Sequence, residues 1–277
     1  MNLYPVETGN FKLDGGAMFG VVPKVIWNKT NPADNNNMCN WAMRSLLIED
    51  ADRLILIDTG IGDKQSEKFF SHFHLNGNDT LQASLKKLGF TTDDVTDVLL
   101  THLHFDHVGG AVIRNDEKYK LTFPNAKYWS NQQHWNWAME PNPREKASFL
   151  SENMLPIQEL GHLNFIESGD ELGKDIKLLM VNGHTESQMI PIVNYKGRNI
   201  VFCADLIPSV GHLKVPYIPS YDTRPLLSMY EKSSFLEEAV QNDYVLFFEH
   251  DAYNECCTLK QGERGVKLDR TFKFADL

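Results

Sequence analysis

The chain has 277 residues, of which 42% are hydrophobic and 23% charged, and its formal net charge is −10. This composition is typical of globular proteins, which excludes the disordered and fibrous classes, and the length is sufficient for one large α/β domain with a buried interior. The acidic balance argues against nucleic acid as a partner, because nucleic acids are bound by clustered Lys and Arg. The negative net charge does not exclude a small acidic substrate.

The opening residues, MNLYPVETGNF, lack the basic region and apolar run of a secretory signal, and no stretch has the roughly 18 apolar residues of a membrane span. We therefore expect a cytoplasmic protein without a membrane partner. The cysteines show no CxxC spacing and include an adjacent pair, so they predict neither a disulfide framework nor a zinc finger. They are Cys39, Cys203, Cys256 and Cys257.

The first part of the chain predicts a buried hairpin, a helix and a further strand. Residues 45–61 form two apolar runs around a Glu-Asp-Ala-Asp turn, and the second run ends at Asp58. Residues 79–89 begin with an Asp-Thr cap, carry leucines at helical spacing and stop at a glycine. The run DVTDVLLTH is then a buried strand that leads into His102.

The second part of the chain repeats the pattern of an apolar strand that leads into a polar residue. Helical spacing is found over residues 144–160 and again over 224–242. The runs IKLLMVNGH, NIVFCAD and YVLFFEH predict strands that lead into His184, Asp205 and His250. Open α/β layers build their sites where strands end, so these side chains are candidates for one site.

No linker or low-complexity tract interrupts this order. We therefore expect residues 1–277 to form a single α/β domain, with two mixed sheets flanked by helices in an αββα sandwich.

The segment THLHFDHVGG, residues 101–110, contains the densest set of candidate metal ligands. In an extended segment alternate side chains share a face, which places His102, His104 and Asp106 on one side, while His107 begins the turn at the two glycines. Imidazole and carboxylate ligands suit zinc, manganese, iron or cobalt. The alternative is a His-rich surface loop, but a buried cluster without metal would need a partner for each ring nitrogen.

The HxHxDH signature, preceded by IDTG and followed by VNGHTESQ, FCADLIP and FFEHD, resembles the metallo-β-lactamase superfamily. This resemblance implies two divalent metal ions, with zinc as the first choice and Mn, Fe or Co as alternatives. The implied ligands are His102, His104 and His184 for one ion, Asp106, His107 and His250 for the other, and Asp205 as a bridge between them. Asp58 resembles the family's buried aspartate, which orients a ligand histidine.

The resemblance also implies a hydrolase in which a metal-bridging hydroxide attacks the substrate and Asp106 transfers a proton. A redox branch of the superfamily has glutamate at the position of His104, so the histidine favours hydrolysis. Asp106 is thus a predicted catalytic residue as well as a ligand.

The segment that begins at Ala204 resembles the branch that opens N-acyl-homoserine lactones, which would make the protein a quorum-quenching lactonase. Related lactonases have a tyrosine three residues after the bridging aspartate, where this chain has Pro208. We expect His212 to take over the substrate-positioning and catalytic role, with Tyr217 or Tyr221 as alternatives. A loop histidine that only bonds locally is the competing interpretation.

Met18, Phe19 and Trp27 are candidates for an apolar acyl-chain site, or else for ordinary core or a subunit contact in a homodimer. The expected partner is a small-molecule ester or lactone. Two alternatives for the function stay open from sequence: phosphotriester, phosphodiester or other carboxylic-ester hydrolysis at the same dimetal site, and a metal-binding protein without catalysis.

Overall fold

The computed structural model describes residues 1–116, 118–263 and 265–277, with the backbone alone at residue 170. Fourteen strands lie in this part of the chain. They are β1 (Asn2–Asp14), β2 (Met38–Asp50), β3 (Arg53–Ile57), β4 (Asp97–Leu99), β5 (Val112–Asn115), β6 (Lys118–Leu121), β7 (Lys127–Ser130), β8 (Leu163–Phe165), β9 (Ile176–Val181), β10 (Gln188–Tyr195), β11 (Arg198–Phe202), β12 (Val245–Phe247), β13 (Cys256–Gly262) and β14 (Gly265–Phe272).

The α-helices of the described residues are mostly short. They are α1 (Gly15–Phe19), α2 (Lys24–Trp27), α3 (Glu67–Ser71), α4 (Leu81–Lys87), α5 (Phe105–Val108), α6 (Gln132–Met139), α7 (Ser151–Glu159) and α8 (Pro225–Gln241). No helix of this part of the chain is both long and apolar enough to cross a membrane.

The chain divides into two compact units, and each consists of two chain segments. Unit 1 contains residues 1–9 and 43–174, and unit 2 contains residues 10–42 and 175–277. The strands β1 and β2 each run from one unit into the other.

Unit 1 is built on a sheet with the strand order β1-β2-β3-β4-β7-β8. Strands β2 and β3 form the predicted antiparallel hairpin, whereas β3, β4, β7 and β8 pair in parallel. Helices α4, α6 and α7 supply apolar side chains to the core of this unit, including Leu85, Trp135 and Ile157. Each such side chain stabilises the fold by about 1.5–3 kcal/mol on burial.

Unit 2 is built on a second sheet with the strand order β14-β13-β12-β11-β10-β9. Only the central pair, β11 and β12, is parallel, and the pairs β9–β10, β10–β11, β12–β13 and β13–β14 are antiparallel. Helix α8 follows the loop after β11 and contributes buried Phe235 and Leu236.

The predicted helix at residues 79–89 is confirmed as α4, whose N-cap Thr80 accepts a hydrogen bond from the Ala83 amide. The predicted helix at 144–160 is wrong in its first half, because only Ser151–Glu159 is helical. Residues 142–148 form turns instead, with the carbonyl of Asn142 accepting from the amides of Glu145 and Lys146. The side chain of Glu145 lies beside His104.

Candidate metal centre

Four of the predicted ligands follow strands at a constant distance. His102, His184, Asp205 and His250 each lie three residues after the last residue of β4, β9, β11 and β12. The strands therefore do not run directly into these residues, since a short loop intervenes in each case. Such loops let a side chain turn out of the sheet plane and converge with others at its edge.

In unit 1 the extended geometry predicted for the HxHxDH segment is wrong beyond His104. His104 is the N-cap of α5, and Asp106 and His107 lie within this helical turn. The change from loop to helix still brings the four residues together. The Nε2 atom of His102 lies 3.1 Å from Nδ1 of His104, and Nε2 of His107 lies 3.9 Å from a carboxylate oxygen of Asp106.

The glycines after this helix allow the backbone of the Asp58 loop to approach it closely. A Cβ atom on Gly109 would lie 2.1 Å from the Ile61 carbonyl oxygen, and one on Gly110 would lie 2.2 Å from that of Thr59. Thr59 donates to the carbonyl of His107 from its amide and from its hydroxyl, both at 2.8 Å. The two glycines are thus required for this contact.

Asp58 is fully buried and organises two of the histidines. It accepts hydrogen bonds from the Thr101 amide at 2.8 Å, the Thr101 hydroxyl at 2.6 Å and Nδ1 of His107 at 3.0 Å. Because the Thr101 hydroxyl gives its single proton to Asp58, its oxygen accepts from Nδ1 of His102 at 3.1 Å. Both histidines therefore carry their proton on Nδ1, and the lone pair is on Nε2.

Sequence reasoning missed two further residues that support the ligands of unit 1. The Glu145 carboxylate is 3% exposed and lies 3.4 Å from Nε2 of His104. Its other oxygen accepts from the Trp137 indole and the Asn142 amide. His134 is fully buried in α6 and accepts from the backbone amide of Leu103, between the two ligands. Neither residue has a spacing in the sequence that would have indicated its role.

In unit 2 two histidines converge on one carboxylate. Nε2 of His184 and Nε2 of His250 each lie 3.0 Å from a different oxygen of Asp205. The opposite nitrogen of each ring is held in place: Nδ1 of His250 bonds the Ala42 carbonyl and Nδ1 of His184 bonds Asp222, both at 2.9 Å. A carbonyl and a carboxylate can only accept, so both rings carry their proton on Nδ1.

This donor arrangement fits divalent metal ions. The Nε2 atoms of His102, His184 and His250 each lie about 3 Å from another nitrogen or carboxylate oxygen. In a neutral imidazole this atom offers a lone pair, so a cation held between each pair of atoms would satisfy both. Tetrahedral zinc with bonds of about 2.0–2.1 Å separates its ligand atoms by about 3.3 Å, close to these distances. All seven predicted ligands are less than a tenth exposed.

The backbone before Asp205 adopts an uncommon conformation. Ala204 has a φ of 41°, in the left-handed region that non-glycine residues seldom occupy. Asp58, which directly follows β3 in unit 1, has a φ of 56° and lies in the same region. Such residues cluster at functional sites, where the surrounding structure holds them in place.

The catalytic role predicted for His212 is contradicted by its surroundings. The ring is fully buried, its Nδ1 accepts from the Ser209 hydroxyl and its Nε2 donates to the Met18 carbonyl, both at 2.8 Å. Burial lowers its pKa to about 3, so the ring is neutral. With both nitrogens bonded inside unit 2, His212 is not placed to exchange a proton with a substrate.

The predicted apolar substrate residues are packed around His212. Phe19 stacks on this ring at 4.3 Å between centroids and on Trp27 at 5.2 Å, and Met18, Phe19 and Trp27 are each at most 2% exposed. They form part of the core of unit 2, which was the competing interpretation. Tyr217 and Tyr221 are partly exposed, and the Tyr221 ring meets the His184 ring edge-on at 5.6 Å.

Comparison with known proteins identifies the class. The chain matches the family model described as the metallo-beta-lactamase superfamily over residues 44–250. A solved structure of a probable metal-dependent hydrolase from Staphylococcus aureus superposes with a TM-score of 0.89 at 30% identity, covering 98% of this chain and 96% of that one. The chain belongs to the metallo-β-lactamase superfamily, and this membership confirms the predicted fold.

More distant relatives carry more specific names. An N-acyl homoserine lactonase of Bacillus thuringiensis is 25% identical over 225 residues, which are 76% of this chain and 81% of the lactonase. A probable metallo-hydrolase of Mycobacterium tuberculosis is 25% identical over 201 residues, and the match spans 62% of this chain and only 60% of that protein. A dizinc quorum-quenching lactonase, solved with a product homoserine, superposes with a TM-score of 0.80 at 21% identity over 98% of this chain.

Proposed function

We propose that this protein opens lactone rings, such as those of N-acyl-homoserine lactones, by metal-dependent hydrolysis. The observation that carries the proposal is the convergence of His184 and His250 on the two oxygens of Asp205, which is the arrangement of a carboxylate that bridges two metal ions. The relatives that are named lactonases favour a lactone over other esters.

In this proposal one ion is held by His102, His104 and His184, and the other by Asp106, His107 and His250, with Asp205 as the bridge. Zinc is the first candidate, because imidazole and carboxylate ligands suit it. Two such ions, when bound, would polarise the lactone carbonyl and lower the pKa of an attacking water. Residues 1–277 are proposed to act as a single domain.

The side chains of the protein would carry the proton and hold the substrate. Asp106 is 8% exposed and lies at the N-terminal turn of α5. In the proposed reaction its carboxylate takes one proton from the attacking water and returns it to the ring oxygen. The acyl carbon–ring oxygen bond breaks, the ring oxygen leaves as an alcohol, and the acyl carbon keeps the remaining OH as a carboxylic acid, which then releases its proton to solvent. The atoms balance as lactone plus water giving a hydroxy acid.

Tyr221 is the proposed substrate contact in place of His212. Its hydroxyl lies 3.3 Å from the Met18 sulfur, and its ring contacts the ligand His184. A thioether sulfur is only a weak hydrogen-bond acceptor. The Tyr221 hydroxyl can therefore exchange this bond for a stronger one to a substrate carbonyl. Tyr221→Phe is expected to raise KM or lower kcat without changing the free energy of unfolding.

The experiment is an assay of the zinc-loaded protein on acyl-homoserine lactones of several chain lengths, aryl phosphotriesters, aryl phosphodiesters and aryl carboxylic esters. Lactones are expected to be hydrolysed with a kcat/KM at least about 100-fold above the other classes, an advantage of about 2.7 kcal/mol. The Asp106→Asn protein serves as the control for contaminating activity. Lactone turnover at the rate of buffer alone would refute the proposal.

A further inference from the structure

One face of α8 holds the loop that carries the ligand His184. Glu231 and Lys232 lie three and four residues after Ser228, which places both on the same side of the helix as Ser228. The Glu231 carboxylate accepts from the backbone amides of Asn182 at 2.8 Å and Gly183 at 2.9 Å. A Cβ atom on Gly183 would lie 2.4 Å from the amide nitrogen and the hydroxyl oxygen of Ser228, so helix and loop are in direct contact.

Asp222 connects this face of the helix to the His184 ring. It is 2% exposed, and each of its oxygens has a separate partner. The Ser228 hydroxyl donates to one oxygen at 2.6 Å, and Nδ1 of His184 bonds the other at 2.9 Å. The hydroxyl fixes the orientation of the carboxylate, and the carboxylate in turn fixes both the orientation and the protonated nitrogen of the imidazole.

We propose that the Ser228–Asp222 pair is a positioning device that keeps His184 in the tautomer required for metal binding. With the proton on Nδ1, the lone pair of Nε2 faces Asp205 at 3.0 Å. In the other tautomer Nε2 would carry a proton and could not act as a ligand. This inference rests on the dimetal site of the proposed function, but it does not depend on the substrate.

The test is zinc affinity, measured by competition with a chromophoric chelator, together with zinc stoichiometry and the melting temperature of the metal-free protein. The variants are Asp222→Ala, Asp222→Asn and Ser228→Ala. The control is Asp243→Asn, which removes the charge of an aspartate with a 74% exposed side chain just after α8.

Asp222→Ala is expected to weaken the binding of one zinc ion by about 10- to 100-fold, the usual effect of losing a carboxylate behind a ligand histidine. Ser228→Ala should weaken the same ion by a smaller factor, because the carboxylate remains but is less well oriented. The second zinc ion and the Asp243→Asn control should keep wild-type affinity. If Asp222→Ala does not fold, Asp222→Asn and Ser228→Ala carry the comparison.

Wild-type affinity for both ions in Asp222→Ala, or in both remaining variants, would overturn the inference. A lower melting temperature of the metal-free variant with unchanged zinc affinity would overturn it as well, since that result assigns Asp222 a structural role. Failure of the lactone assay with normal zinc binding would refute the substrate and leave the positioning role standing. Absence of zinc binding in the wild-type protein would refute both.

Discussion

The two units supply their predicted ligands in different ways. In unit 1 four ligands lie within residues 102–107, where a loop passes into the helical turn α5. In unit 2 the three ligands His184, Asp205 and His250 follow three separate strands. The first arrangement is local and is specified by one segment, whereas the second exists only when β9, β11 and β12 are assembled in one sheet.

The two units also differ in how the histidines are supported. In unit 1 a single carboxylate, Asp58, bonds His107 directly and His102 through Thr101. In unit 2 His184 is supported by Asp222 and His250 by the Ala42 carbonyl. A change at Asp58 should therefore disturb two ligands together, while a change in unit 2 should disturb one.

The largest expected effect follows from removing the carboxylate that both histidines of unit 2 face. Asp205→Ala is expected to lower kcat/KM by at least about 1000-fold, or about 4 kcal/mol, because both ions lose a ligand. Zinc bound per chain, measured by elemental analysis after gel filtration, should fall with the activity. Full activity at an unchanged zinc content would contradict the bridging role.

Asp58→Asn tests whether the support in unit 1 is shared. We expect the affinity for each of the two zinc ions to fall by about 10- to 100-fold, since His102 and His107 are assigned to different ions. Asp222→Ala provides the matched comparison in unit 2, where only one ion should be affected. Loss of a single ion in Asp58→Asn would show that the two histidines are not coupled through this carboxylate.

His212→Leu separates a structural histidine from a catalytic one. The change leaves the buried Met18 carbonyl without its donor, so the free energy of unfolding should fall by about 1–3 kcal/mol. Urea denaturation measures this loss, and zinc titration should show unchanged affinity. If stability is preserved while lactone turnover is lost, His212 contacts the substrate after all.

The free energy of unfolding is expected to depend on pH through a buried lysine of unit 2. Lys232 is buried in α8 and donates to the carbonyls of His212 at 3.0 Å and Tyr217 at 2.7 Å, and burial lowers its pKa to about 7. Between about pH 7 and its unfolded pKa of 10.5 the unfolded chain binds the proton and the folded chain does not. The free energy of unfolding should therefore rise with pH in this window, by at most about 1.4 kcal/mol per pH unit.

Lys232→Met should remove this contribution and flatten the profile between pH 7 and 8, as measured by urea denaturation. Above about pH 8 the profile still rises, because burial lowers the pKa of Lys64 to about 8. Lys214→Met is the matched control, because Lys214 lies exposed in the same segment. The free energy of unfolding of the wild-type protein and of the Lys214→Met control should rise with pH at the same slope. A slope in Lys232→Met equal to theirs would show that Lys232 does not titrate in this range.

Much of the fold followed from local patterns in the sequence. The cap at Thr80 and the leucine spacing predicted α4, and the two apolar runs around residues 49–52 predicted the hairpin of β2 and β3. The prediction failed at residues 144–150, where helix formers are held in turns whose Glu145 side chain lies beside His104. A tertiary contact overrode the helical propensity there.

The sequence alone determined the ligand types, because imidazole and carboxylate groups at the ends of apolar strands have few roles other than metal binding. It also predicted a turn at Gly109 and Gly110, whereas their close packing against the Ile61 and Thr59 carbonyls is found only in the structure. The resemblance predicted Asp58 as a residue that orients a ligand histidine. Only the tertiary structure decided which nitrogen of each histidine faces outward and which other residues hold it, namely Glu145, Asp222 and the Ala42 carbonyl. These contacts join residues that lie far apart in the chain, and no local spacing encodes a hydrogen bond between them.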